Sequence, residues 1–301
     1  MSTQFVSSGV TSSGVVVTSG NILSVLSGGT ASTTTITTSN TYQFVSGLAV
    51  GTIVSGGVDV VYSGGVDKGA IISTGGTQYL ASGGFASGAT VLSGGQQNIG
   101  SGATASGATV SNAGLELVGG IAIATVLSAR GAELIQSGGV DRGATISSGA
   151  TQYLVAGGVA SGAAVLSGGQ QNIGSGATAS NATVGNAGLE LVGGIAIATV
   201  LSAGGGAFIQ SGGVASGMQV VGSGASDLIQ SSGVASGTTV SSGGNEAVGS
   251  GGLAVSALIR RPAIRRLRWR GERDPGDGRW RANRRLRRRG AGDHAQRRQR
   301  L

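Results

Sequence analysis

TQYLASGGFASGATVLSGGQQNIGSGATASGATVSNAGLELVGGIAIATVLSARGAELIQSGGVDRG, residues 77–143, returns as residues 151–217 with 55 of 67 positions identical at an offset of 74. Within this unit a short apolar stretch, a Gly/Ser turn and a second short apolar stretch recur every 18 or 19 residues, so four repeats fill one 74-residue block. Sustained periods of that length mark a solenoid, whose coils cannot bury their own apolar face and must stack on their neighbours. The duplication reaches back to about Gly57, because Val66 and Asp67 return as Val140 and Asp141.

Aligning the repeats places Leu80, Ile99, Leu117, Ile135, Leu154, Ile173, Leu191 and Ile209 in one column expected to point inward. A second column runs through Val91, Val110, Val126, Ile146, Val165, Val184, Val200, Val220 and Val240. The Ala-Thr-Val triplets around it alternate as strands do, and β-branched residues suit such strands. The reading predicts about 13 coils stacked at the inter-strand distance, a rod on the order of 60 Å long. Gly belongs at the corners, where the SGG and ASG steps supply positive φ.

Composition argues the same way. The 301 residues include 61 Gly, with 3% aromatic and 11% charged residues, which is poor material for a globular enzyme core. Collagen fails because Gly does not fall at every third position and only two Pro are present. A disordered Gly/Ser linker is the other reading of so much Gly, but 39% apolar residues at fixed places in each repeat argue against it. There is no Cys, hence neither a disulfide framework nor a thiolate metal site.

The formal charge of +8 is unevenly spread. Up to Ile259 there are three basic residues, Lys68, Arg130 and Arg142, against eight acids, a balance of −5; from Arg260 onward the chain holds 17 Arg against four acids, +13. No run of apolar residues is long enough for a membrane helix, and MSTQFVSSGVTSSG carries neither the basic nor the apolar region of a signal peptide.

Chemical candidates are few. The only His is His294, so catalysis would need paired carboxylates. Alignment sets Glu116 level with Leu134 and Glu133 level with Leu115, which sends the two acids to opposite faces. Asp67 and Asp141 align four coils apart, roughly 20 Å, and read as isolated solubilising charges beside Lys68 and Arg142. The calcium-binding nonapeptide pattern is missing, and no GKS or GKT follows the Gly-rich strings. Catalytic, cofactor and metal residues are therefore all read as none. The turns do offer hydroxyls: Ser82, Ser93, Ser101, Ser137, Ser167, Ser175 and Ser211 each stand between a strand and a Gly, in loops expected to be exposed.

GGVDKGAIISTGGTQYLASGGFASGATVLSGG, residues 64–95, resembles the strand-loop-strand repeats in passenger regions of self-associating autotransporter adhesins of Gram-negative bacteria, and the likeness spans about residues 20–257. The resemblance implies a right-handed parallel β-helix and display outside the cell or at its surface. It also implies a role in autoaggregation, biofilm formation or adhesion to host or abiotic surfaces. It further implies O-linked heptose on loop Ser, added by a cytoplasmic autotransporter heptosyltransferase, with the seven Ser above as acceptors. Family members usually carry an export signal and a C-terminal membrane β-barrel, and neither is visible here. The competing readings are a polysaccharide-acting β-helix enzyme, which needs Asp, Glu, Arg or Lys side chains stacked on one face of neighbouring coils, and a disordered linker with a basic nucleic-acid-binding arm.

The expected organisation is an irregular N-terminal cap over 1–19, the solenoid over 20–257 and an Arg-rich tail over 258–301, disordered and not a nucleic-acid partner in vivo. The tail keeps the period of the repeat: RRLRWRG at 265–271 returns as RRLRRRG at 284–290, an offset of 19. A frame moved back by one nucleotide turns a Gly codon after C into CGG, Arg, and after T into TGG, Trp. A frameshifted continuation of the repeat thus explains the Arg, the Trp and the period together.

Overall fold

The computed structural model describes residues 2–241 and 243–260. They form a β-solenoid whose coils each contribute one strand to three parallel 14-stranded sheets. The first sheet begins with Thr3–Val6, the second with Thr11–Ser13 and the third with Val16–Val17, and each later coil repeats that order. Every described strand pairs in register with its equivalent one coil away, as Leu80 with Ile99 and Val91 with Val110. Parallel sheets of this kind satisfy their backbone groups between coils and turn alternate side chains inward.

The solenoid begins earlier than the sequence reading expects. Residues 3–17 form a regular first coil, paired strand for strand with the next, where an irregular cap is anticipated. At the other end Leu258–Ile259 pairs with Thr239–Val240, so the solenoid extends past residue 257. The expectations for the Arg-rich tail beyond Arg260 lie outside the described residues.

Two inward columns make the apolar core. The first runs through Leu80, Ile99, Val118, Ile135, Leu154 and Ile173, all buried. The second runs through Val91, Val110, Leu127 and Ile146 in the third sheet. Each such side chain stabilises the rod by roughly 1.5–3 kcal/mol through burial. The columns correct the sequence alignment at four places: Val118 and Val192 stand where it puts Leu117 and Leu191, and Leu127 and Leu201 where it puts Val126 and Val200. Val126 is exposed.

The cause is a contracted corner. Most corners between the first and second sheets hold four residues, as Gly100 to Ala103 do between Ile99 and Thr104, but Gly119 and Gly120 alone join Val118 to Ile121. The coil from Leu115 to Gly131 is therefore shorter than the one before it, and an alignment that holds the first column to a period of 18 or 19 slips by one position. A slip of one in a strand exchanges its two faces. Gly120 makes the contraction possible, since a Cβ there would lie 2.3 Å from the carbonyl oxygen of Gly100 and 2.5 Å from that of Ala103.

The corner between the second and third sheets holds a single left-handed residue in every coil, from Gly14 (φ +67) to Ser256 (φ +56). Glycine fills it in most coils. Ala124 (φ +55) and Ala198 (φ +56) adopt the same conformation against the preference of an L side chain.

Candidate functional site

The seven serines singled out from the sequence occupy two corners. Ser82, Ser101, Ser137, Ser175 and Ser211 lie between the first and second sheets, whereas Ser93 and Ser167 lie between the third sheet and the next coil. All seven are exposed. Ser8, Ser27, Ser63, Ser231 and Ser250 hold the same place as the first five but lie outside residues 77–143 and 151–217, and so escape a reading built on those two stretches. The first corner therefore carries a file of Ser along one edge of the rod, broken by Ala156 and by the two-residue corners 46–47, 119–120 and 193–194.

At several of these corners a left-handed Gly clears space for the Ser one coil earlier. A Cβ on Gly83 would fall 2.7 Å from Ser63 Oγ, one on Gly102 2.6 Å from Ser82 Oγ, and one on Gly157 2.7 Å from Ser137 Oγ. Gly in one coil thus keeps the hydroxyl of the preceding coil open. Nothing at these corners activates the hydroxyl: the eight acids of the body point inward and the described residues contain no His. A lone, solvent-exposed hydroxyl is a weak nucleophile that reacts when another enzyme brings the base and the activated donor.

The interior holds the second constellation, and here the sequence reading is overturned. From Gln43 to Glu246 the inward second residue of the first-sheet strand is Gln, Asp or Glu in every coil except at Ala207. Glu116 and Glu133 do not face opposite ways: they are direct partners on neighbouring coils and both are fully buried. Asp67 and Asp141 are not surface charges either. They take the place of buried Ala in the second sheet and lie across from the polar file of the first. The slip of one position misplaces Glu116, and the expectation that charged residues face water misplaces Asp67 and Asp141.

Amides bridge the acids. Gln78 Nε2 donates to Asp59 Oδ2 at 3.0 Å and to Asp67 Oδ2 at 2.7 Å, while Gln97 Nε2 donates to Gln78 Oε1 at 2.7 Å. One block later Gln152 Nε2 donates to Glu133 Oε2 at 2.7 Å and to Asp141 Oδ2 at 2.9 Å, and Gln171 Nε2 to Gln152 Oε1 at 2.6 Å. Burial raises the carboxyls: Glu116 is pushed up to about 8, Glu190 to about 7 and Asp141 to about 6. Burial, followed by the charges of Asp141 and Glu116, lifts Glu133 well above its ordinary value. Asp67 is raised by burial and then by Asp59, and Asp227 by burial and then by Glu246 and Glu190.

Among the described residues the outside is correspondingly free of acids. All eight carboxyls up to Ile259 are buried, whereas Lys68, Arg130 and Arg142 are exposed. The acids behind the formal −5 therefore lie inside, and the three cations up to Ile259 lie outside. Among the described residues no group of three or more acids, His or Cys is arranged to hold a metal ion, and no helix is long and apolar enough to cross a membrane.

No family model and no curated protein sequence matches the chain. Among solved structures it is similar to a hyper-glycosylated TibA fragment whose glycosylation was catalysed by TibC, at 31% identity and a TM-score of 0.82, covering 85% of this chain and 96% of that one. Identity at that level over nearly the whole fragment, together with the shared solenoid, makes the relationship one of family as well as fold: the chain belongs with TibA among the autotransporter adhesin passenger β-helices.

Proposed function

We propose that the chain is a non-enzymatic stalk displayed at the cell surface, acting in adhesion or autoaggregation, and that its corner Ser accept O-linked sugar from a cytoplasmic heptosyltransferase. The observation that carries this reading is the file of exposed, unactivated Ser, several of them kept open by a Gly of the next coil, on a rod similar to a fragment solved in its glycosylated form. Glycans would also suit coils that up to Ile259 show only three exposed charges beside many half-exposed apolar side chains. Acceptors are Ser82, Ser101, Ser137, Ser175 and Ser211, with Ser93 and Ser167 at the second corner. Co-expression with a heptosyltransferase of this class, followed by intact mass spectrometry and peptide mapping, tests it. The expected result is a series of heptose increments on corner Ser; an unmodified mass contradicts it.

A further inference from the structure

The interior carboxyls come in neighbouring sets, and among the described residues no cationic side chain stands between them. Asp59 and Asp67 share the amide of Gln78, and one duplicated block later Glu133 and Asp141 share that of Gln152. Glu116 adds a further carboxyl beside Glu133. In the third copy of the block the positions of Glu133 and Asp141 are held by Ala207 and Ala215, so both acids disappear together.

We propose that the rod holds these carboxyls as proton-sharing sets, which makes its interior a pH-sensitive device: the coils are closed while the sets keep their protons and open first around residues 115–150 when rising pH removes them.

Geometry supports this in three ways. Two ionised carboxylates side by side in a cation-free interior repel each other strongly, and a single proton between them converts the repulsion into an O–H donor. That donor is wanted most at Glu116 and Glu133: both oxygens of Glu116 and Oε1 of Glu133 are buried without a well-formed hydrogen bond, with only the Thr125 hydroxyl beside Glu116, whereas Asp141 has the backbone N–H groups of Arg142 and Ala144 beside it. The Asp59 set is better served, because Gln43 Nε2 also donates to Asp59 Oδ1 at 3.2 Å and Thr52 Oγ1 to Asp67 Oδ1 at 3.5 Å. The weak point therefore lies in the second block.

Among the described residues no opposite charge relieves it. Gln97 and Gln152 flank the set on the first sheet, Ala122 and Ala160 flank Asp141 on the second, and Leu127 and Ile146 face it from the third. Arg130 and Arg142 are exposed to solvent. Carboxyls raised above their unfolded values give the folded rod more bound protons than the unfolded chain. Stability is then full below about pH 4, near the ordinary carboxylate values, and falls as pH rises towards the folded values of about 6 for Asp141 and about 8 for Glu116. Within that window each such group multiplies the unfolding constant about tenfold per pH unit.

The test uses the full chain. Infrared spectra should show a protonated-carboxyl C=O band that survives at about pH 7 and vanishes on unfolding in denaturant at the same pH. Urea unfolding should give a stability that declines between about pH 5 and about pH 8, with a shallower slope for the double variant Glu116→Gln, Glu133→Gln. If that variant does not fold, Glu190→Gln and the wild-type infrared band still decide the matter. A wild-type stability independent of pH across this window, or no protonated-carboxyl band at neutral pH, overturns the proposal.

Discussion

Glu116 and Glu133 are direct partners on adjacent coils of the first sheet, and both are fully buried. They belong to a polar file that runs inside an otherwise apolar rod, held together by Gln side chains rather than by ion pairs.

One of those side chains is Gln152, which donates to Glu133 and Asp141 and accepts from Gln171. Gln152→Ala removes all three bonds and leaves buried partners unsatisfied. It should cost about 2–4 kcal/mol, since each orphaned buried polar group costs about 1–3 kcal/mol. Urea unfolding at acidic and neutral pH measures the loss.

Glycines in this chain differ in what they do. Gly120→Ala would drive a Cβ into the backbone oxygens of Gly100 and Ala103 and should destabilise by about 3 kcal/mol or more, by analogy with other overpacked sites. Gly107 has the same residue type but open space around it, and only its φ of +64 objects to a side chain. Gly107→Ala should cost about 1–2 kcal/mol. Thermal melting of the two variants side by side separates close approach from conformation.

Ala124 carries a side chain where most coils use Gly, at φ +55. Ala124→Gly should relieve about 1–2 kcal/mol of left-handed strain, offset by about 0.5–1 kcal/mol of unfolded-state entropy. The expected result is a small net gain in the urea midpoint; a loss would show that the Ala methyl packs against something its neighbours need.

Much of this architecture is legible from the 74-residue duplication and the repeat period, because both inward columns recur with apolar residues. What is not legible is local length. The two-residue corners at 119–120 and 193–194 change the register by one, and the strand LELV offers Leu or Val as the inward residue with similar hydrophobicity. With Leu117 chosen, Glu116 has to face water, and the usual exposure of charged residues agrees. The structure chooses Val118 because the Gly pair ends the strand there, and Glu116 turns inward with it. The same error hides the acidic interior as a whole: Asp67 and Asp141 stand in a column of Ala, where a charged residue on a periodic background looks like a tolerated surface change. The serine corners are easier, since Ser before Gly at a turn is exposed for local reasons.

Display at the cell surface tests the functional reading most directly. The full chain, fused to an autotransporter membrane translocator in a non-aggregating Gram-negative strain, is compared with the translocator alone, with and without a heptosyltransferase. Cell settling and binding to abiotic and host-cell surfaces are measured. An adhesin or autoaggregation stalk predicts that displaying cells settle or adhere well above the control. Cells that display the chain at their surface, verified by antibody, yet stay as dispersed and non-adherent as the control under both conditions would contradict it.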